Sequence, residues 1–366
     1  MKTYRADEAY AGLETAANAG LRWDDFCHEA ARLLTQAIPF DSLCMGTADP
    51  ATNLLCGAVM HDLDQLTTDD FVAAEYGAPD YNHFVDLAQR SVGVSILAEA
   101  TEGNPQLSRR YREFLTRGDI PHEMRSTLRS GGRMWGVVTL YRTNGRTGFS
   151  PGEAAFMHRI EPVLARGLRR GLIVGDLQRA RRSSTAAVVI LNAADQVVSA
   201  TDAAEQRFQD LGGVLWSSLP VPVVSVLAAA RGVAGQFVPE MQVRTQDGEW
   251  LTLHAARVRG PEGVTTDVAV TIAPAGPAEI IPLVVAAYGL TEREQNVVQQ
   301  VLGGGSTAEI ARRLYLSPYT VQDHLKAIFE KVGVSSRREL TSRVFLDHYV
   351  GRFGQSPTAT GWFSEG

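Results

Sequence analysis

Ser317-Pro318-Tyr319-Thr320-Val321-Gln322-Asp323-His324-Leu325-Lys326 opens with a residue that caps helices and a proline suited to the first helical position. Val321, Leu325, Ile328 and Val332 then recur at helical spacing and predict a buried stripe. Advancing about 100° per residue from Val321, Tyr319, Asp323, Lys326 and Glu330 point away from that stripe, with Gln322 and His324 at its margins. Outward from this stretch, Tyr315-Leu316-Ser317 reads as a tight turn. Before it, Ser306 or Thr307 caps a helix whose apolar side carries Ile310, Ala311 and Leu314. Earlier still, Thr291 and Glu294 have capping-box spacing and start a helix through Val297, Val298, Val301 and Leu302. That helix ends at Gly303-Gly304-Gly305, which suits a helix C-cap; with no Lys before Ser306, the run lacks the phosphate-loop pattern. A short helix with a polar face after a tight turn is the second helix of a helix-turn-helix, whose first residues reach base edges in the major groove. The alternative is an ordinary amphipathic helix in a small bundle.

Resemblance decides between them. Leu290-Thr291-Glu292-Arg293-Glu294, Glu309-Ile310-Ala311-Arg312-Arg313-Leu314, the stretch Ser317 to Lys326, and Lys331-Val332-Gly333-Val334-Ser335-Ser336-Arg337-Arg338-Glu339-Leu340 together resemble the LuxR-type helix-turn-helix in order and spacing. The resemblance implies that Gln322, Asp323 and Lys326, with Tyr319 beside them, face the bases of double-stranded DNA. It implies that Thr320, His324, Lys331 and Arg337 lie near phosphates, and that a helix from Arg337 to about His348 makes a dimer contact through Thr341 and Phe345. The chain departs from the family where Gln322 replaces a usual basic residue and Asp323 adds a negative charge. Both changes shift weight toward direct readout, since Gln can bond adenine and Asp can accept from cytosine; Asp323 has the alternative of holding a neighbouring Arg.

The chain has 366 residues, enough for two or three domains, and three are expected. A formal net charge of -6 excludes a protein that coats nucleic acid through overall charge, so any DNA contact must be local. No apolar stretch is long enough to span a bilayer and the first residues lack a signal-peptide core, so no membrane partner and a cytoplasmic location are expected. Cys27, Cys44 and Cys56 form no CxxC pair or spaced Cys/His set, which speaks against a metal site.

The fold class expected is multidomain: an α+β domain over 8–175, a second α+β domain over 184–274, an all-α helix-turn-helix bundle over 280–349, and a flexible tail over 351–366. In the first, Leu21, Phe26, Ala30, Leu33, Leu34 and Ile38 predict an amphipathic helix stopped by Pro39. Ser42 to Thr47 and Leu54 to Met60 predict a hairpin, and Met134 to Tyr141 a strand. Ser150, Pro151 and Glu153 start a long helix, expected to reach about Arg182, with Arg166, Arg169 and Arg170 on a solvated side. Arg179 to Ser184 reads as a connector. Beyond it, strands are expected at Ala187 to Asn192, Val197 to Ala200, Gly235 to Thr245, Trp250 to Val258 and Val268 to Ala273. Thr201 or Asp202 caps a helix after the second of these, Gln246-Asp247-Gly248-Glu249 makes a turn, and Ala273 to Ala278 has linker composition.

The first of these domains resembles a GAF domain in its order of helix, hairpin, variable covering segment, and a strand from Gly132 to Arg142 leading into Phe149-Ser150-Pro151-Gly152-Glu153. The second resembles a PAS-type domain, with Asp195 in its first turn and the Asp247-Gly248-Glu249-Trp250 hairpin. Such resemblance implies a ligand sensor holding a small-molecule effector of unspecified identity. Candidate lining residues are Cys44, Cys56, His61, Tyr76, Tyr81, His83, Phe84 and Trp135, with Met45 beside them; each has an ordinary core or surface role as its alternative. Cys44 and Cys56, on opposed strands of the hairpin, raise a redox switch against plain buried thiols. A phosphoacceptor receiver domain lacks support, and the autoinducer-type pattern is not found around Trp23 or Trp135.

The expected function is a dimeric transcription regulator gated by a small ligand; RNA polymerase is a further partner this reading allows. Its alternative is a constitutive DNA-binding regulator whose N-terminal domains serve only dimerisation or protein contact. No catalytic triad, HExxH, phosphate-loop or kinase motif argues for an enzyme.

Overall fold

Pro39 ends the apolar stripe as the sequence predicts, but two helices precede it in the computed structural model: α1 (Lys2–Asn18) and α2 (Trp23–Ala37). The structure describes residues 2–63, 71, 74–76, 78–174, 185–232, 239–245, 247–261 and 263–346. Among the described side chains of helix α1, those fully buried are Leu13 and the small Ala9, Ala16 and Ala17, with Tyr10 half-buried beside them, so its pattern is faint in the sequence. The hairpin follows as strands β1 (Ser42–Ala48) and β2 (Leu55–His61), then β3 (Val94–Ile96), β4 (His122–Ser130) and β5 (Arg133–Arg142). They form one antiparallel sheet in the order β2-β1-β5-β4-β3. Helix α3 (Pro151–Gly171) closes this part, with Ser150 and Glu153 in the capping box predicted from the sequence.

One face of the sheet, through Leu43, Met45, Met124, Val138 and Leu140, packs against α2 and α3, and α1 packs on those two helices. Helix α3 approaches α2 so closely that a Cβ at Gly167 would lie 2.1 Å from the Phe26 ring. The other face, through Cys44, Val137 and Tyr141, lies under the chain between Phe71 and Ile120, where Phe84, Leu87, Leu97, Phe114 and Leu115 are buried. Covered on both sides, β1 is buried along its whole length.

A second antiparallel sheet contains β6 (Ala187–Leu191), β7 (Val197–Ala200), β8 (Glu240–Arg244), β9 (Trp250–Gly260) and β10 (Gly263–Pro274), ordered β7-β6-β10-β9-β8. Numbered within themselves, the two sheets share the order 2-1-5-4-3. Helix α4 (Ala204–Asp210) and helix α5 (Val221–Arg231) accompany the second sheet, and α5 also packs on β2. Both sheets fall in one compact unit and share a continuous apolar cluster. At the seam, Gln242 N donates to Asp49 Oδ2 at 2.8 Å. Asp49 is buried there; burial raises its pKa against the backbone hydrogen bonds it accepts.

The second unit is helical: α6 (Pro277–Ala287), α7 (Glu292–Leu302), α8 (Thr307–Leu314), α9 (Pro318–Val332) and α10 (Arg337–Thr341). Among the described residues no helix is long and apolar enough to cross a membrane.

Several expectations are corrected. Ala273 to Ala278 does hold the boundary between the two compact units, at Pro274/Ala275, but only Ala275 and Gly276 lie between β10 and α6. Neither Thr201 nor Asp202 caps α4; the N-cap is Ala203, and Thr201 Oγ1 instead accepts from Val188 N across the β6–β7 turn at 3.0 Å. Arg166, Arg169 and Arg170 do not share a solvated side: Arg166 pairs with Glu14 and Arg170 bonds Asn18, both on α1, which covers that flank. Burial and the two neighbouring arginines lower the Arg169 pKa to about 10. Strands β3 and β4 and helices α5 and α6 have no counterpart among the elements the sequence predicts. Helix α3 ends at Gly171 with Leu172 as its C-cap, short of the expected Arg182. The connector at 179–184, the strand start at Gly235, Gln246 and the tail from 351 lie outside the described residues.

Candidate nucleic-acid interface

Four helix starts in the C-terminal unit are set by single side chains. Glu294 N donates to Thr291 Oγ1 and Glu309 N to Ser306 Oγ, so Ser306 rather than Thr307 is the cap. Thr320 N donates to Ser317 Oγ at 3.0 Å, and Glu339 N to Ser336 Oγ at 3.2 Å. Helix α8 ends at Tyr315, and α9 ends at Gly333 with φ +74, where a glycine carries the left-handed turn without strain. Val297, Val298, Val301, Ile310, Ala311, Val321, Leu325, Ile328 and Val332 meet in one core.

That core consumes one face of α9 and leaves the other in solvent. Tyr319, Gln322, Asp323 and Lys326 are exposed, at the i, i+3, i+4, i+7 positions of a single row, with Thr320 and His324 half-buried beside it. Tyr315, at the turn before the helix, is 95% exposed. Residues 289–344 carry eight basic and six acidic side chains, a net of +2 within a chain of net -6, so the positive charge is local.

Two residues expected near phosphates are engaged inside the unit. Lys331 Nζ donates to Glu294 Oε2 at 2.6 Å and Oε1 at 2.8 Å, tying α9 to the start of α7. Arg337 donates to Gly305 O and Thr307 Oγ1 at 2.8 and 2.9 Å, tying α10 to the start of α8. Both cations orient the helices that frame the α9 row. Thr341 is half-buried on α10, and the side chain of Phe345 lies outside the described residues.

Burial alone would raise the Glu294 pKa, but the Lys331 ammonium and the Thr291 hydrogen bonds outweigh it and hold the carboxyl below its ordinary value. A depressed carboxyl stabilises the fold above its unfolded pKa, and that contribution is lost as pH falls through the lower folded value. The bundle is therefore expected to lose stability on acidification below about pH 4.3, the ordinary Glu range. Circular-dichroism melts of the chain at descending pH check this, and Glu294→Gln should flatten that part of the profile.

The residues proposed as ligand-lining do not form one group. Cys44 lies beneath the covering segment of the first sheet, and His83 and Phe84 are buried parts of that segment. Cys56 and Tyr76 lie toward the seam with the second sheet, where Cys56 Sγ is 3.5 Å from Gln242 O and Tyr76 Oη accepts from Leu55 N. His61 Nε2 faces His28 Nδ1 on α2 at 3.1 Å, and Tyr81 is 36% exposed. Trp135 is buried and donates to Ser130 O, about 14 Å along β5 from Thr139 at ~3.4 Å per residue. Cys44 stands opposite Met60 rather than Cys56, and burial pushes its thiol up to about 12, so both thiols stay protonated.

Residues 289–344 match the family described as bacterial regulatory proteins, luxR family. A putative HTH-type transcriptional regulator of Mycobacterium bovis is 47% identical over 51 residues, 14% of this chain and 6% of that protein. The transcriptional regulatory protein UhpA of Escherichia coli is 45% identical over 56 residues, 15% of this chain and 29% of its own. The chain thus spans less than a third of either relative, and the likeness is confined to the C-terminal helices. A GAF domain from a phosphoenolpyruvate-protein phosphotransferase of Coxiella burnetii covers 45% of this chain and 93% of its own at 13% identity, with a TM-score of 0.29, too low to argue from. The C-terminal helices form a LuxR-type helix-turn-helix domain.

Proposed function

We propose that the chain is a sequence-specific transcription regulator that acts as a dimer on double-stranded DNA in the cytoplasm, gated by a small ligand in its N-terminal half. The observation that carries the DNA-binding part is the solvent-facing row Tyr319, Gln322, Asp323 and Lys326, on a helix whose other face is spent on the core of a LuxR-type domain. In this reading Gln322, Asp323 and Lys326 meet base edges with Tyr319 beside them, while Thr320 and His324 lie against the backbone. Lys331 and Arg337 then contribute chiefly through the frame they hold, since each already has protein partners. With one strong cation on the reading row, a single copy gains little from phosphate neutralisation, which favours a two-fold arrangement on paired half-sites.

The sensing part is supported by the architecture. A five-stranded antiparallel sheet with helices on one face and a covering segment on the other fits a GAF-like module over 8–175. A second sheet of the same order over 184–274 fits a PAS-like one. Selecting bound duplexes from a random pool with the full chain, then measuring affinity for the selected site with and without a metabolite extract, tests both parts. No enrichment would overturn DNA recognition. An affinity unchanged by extract would favour constitutive binding, with the N-terminal half serving assembly.

A further inference from the structure

Between the covering segment and the first sheet lies a layer of buried charge that the DNA-binding reading does not use. Arg110 donates to both oxygens of Glu123 at 3.0 and 2.7 Å and to Tyr81 O at 2.9 Å. Arg125 donates to Glu75 Oε2 at 2.6 Å and Asn82 O at 2.9 Å, and its guanidinium stacks 3.7 Å from the centre of the Phe84 ring. Asp80 accepts from Ser108 Oγ and the backbone of Tyr81, Arg109 and Arg110. The two guanidinium groups thus face three carboxylates, and the extra negative charge, on Asp80, is taken up by the Ser108 hydroxyl and three backbone N–H groups.

Around them stand polar atoms with no partner. Asn82 Oδ1 and Nδ2, His83 Nε2, Arg125 Nε, Thr139 Oγ1 and Tyr141 Oη are all buried without a hydrogen bond, in residues no more than 2% exposed. Register brings them together: Thr139 is directly opposite Arg125, and Tyr141 directly opposite Glu123, on adjacent strands. The charges of Arg110 and Arg125 reach both Tyr141 and His83. Burial holds the His83 ring below its ordinary pKa, so it is neutral and offers either a donor or an acceptor. Buried polar atoms are normally paired, and six unpaired ones around one pair of guanidinium groups mark a place where a hydrogen-bonding occupant belongs.

We infer that Asn82, His83, Arg125, Thr139 and Tyr141 form a binding site for a small uncharged molecule carrying adjacent donor and acceptor groups, of the amide or lactam type. The inference deepens the ligand-gated reading and rests on it only for the regulatory consequence. An anion would have to displace Glu75 or Glu123 from its guanidinium, and a cation would meet carboxylates whose attraction is already spent, so charge is disfavoured in either sign. An apolar molecule would leave all six atoms unpaired. The open atoms include fixed donors (Asn82 Nδ2, Arg125 Nε), a fixed acceptor (Asn82 Oδ1) and groups able to do either, which is the complement of an amide.

The test uses the full chain and a set of defined probes: nicotinamide, 2-pyridone and uracil as uncharged amides or lactams, phosphate, succinate and putrescine as ions, and toluene as an apolar molecule. At millimolar concentration at least one uncharged probe should raise the melting temperature of the N-terminal unit, and the ions and toluene should not. Thr139→Val and Tyr141→Phe keep shape and remove an unpaired hydroxyl. Each should melt at or above the wild-type temperature without a probe, yet bind the active probe at least about tenfold more weakly by calorimetry, a factor worth 1.4 kcal/mol. No rise with any uncharged probe overturns the assignment, as does a rise with ions or toluene alone. Variants that melt lower and bind the probe normally would assign the atoms to structural water and also overturn it. A probe that binds at this site yet leaves DNA affinity unchanged would sink the ligand gating and leave the site standing.

Discussion

Glu123→Ala is expected to lower the stability of the N-terminal unit by about 3 kcal/mol, the lower end of the usual cost of orphaning one member of a buried ion pair. Glu123 and Arg110 are both essentially inaccessible and joined by two hydrogen bonds. Without the carboxylate, the Arg110 guanidinium stays in a site where desolvation opposes its charge and where Glu123 is the chief group raising its pKa. The lower end applies because Asp80, 3.8 Å away, and Tyr81 O still face it. In a unit of this size the loss corresponds to a fall of roughly 6–12 °C in melting temperature, measurable by calorimetry on the full chain. The double replacement Arg110→Met with Glu123→Leu removes both charges and should recover most of the loss, since an apolar pair of similar volume is often no worse than a buried ion pair. A loss under about 1 kcal/mol for Glu123→Ala, the behaviour of an exposed pair, would show that the two groups do not form a buried pair in solution.

Lys326→Ala should weaken binding to a selected DNA site by about 1–3 kcal/mol, roughly 5- to 150-fold, while leaving the melting temperature almost unchanged. Lys326 is exposed and stands at the C-terminal end of the reading row. Gel-shift titration at two salt concentrations separates its modes of action: loss of a base contact relaxes sequence preference at one position, and loss of a phosphate contact lowers the salt slope by about one. Equal affinity of mutant and wild type for the selected site would remove Lys326 from the reading surface. The same measurement on Lys331→Ala should show a different pattern, with lost stability accompanying lost affinity, because that ammonium is bound to Glu294.

The reading row was legible because everything that forms it is local. Thr291 with Glu294, Ser306 with Glu309, and Ser317 with Thr320 are three residues apart, and the apolar stripes repeat within a turn or two. Ser150, Pro151 and Glu153 announced α3 in the same way. The N-terminal half behaves otherwise at its most consequential positions. His122-Glu123-Met124-Arg125-Ser126-Thr127-Leu128-Arg129-Ser130 reads as a polar stretch, yet it is a strand with Glu123, Arg125, Ser126 and Thr127 buried. Its charges are tolerable only because chain far away supplies their partners, Glu75 for Arg125 across fifty positions and Arg110 for Glu123 across thirteen. Helix α1 was indistinct for a related reason: small inward residues and arginines from α3 hold it, and neither leaves a strong period in its own sequence.

The sequence by itself therefore determined helices α7, α8 and α9, the Thr291 and Ser317 caps and the side chains α9 turns to solvent, since helix start, stop and facing are settled by residues within a turn of one another. Tertiary structure alone decided which cations of the C-terminal unit are held by protein partners and where the buried polar layer sits. Lys331 and Arg337 look alike in sequence to Lys326, and only the approach of α7 and α8 occupies them. The unpaired atoms of Asn82, Thr139 and Tyr141 likewise become a site only when the sheet and its covering segment close and exclude water from them.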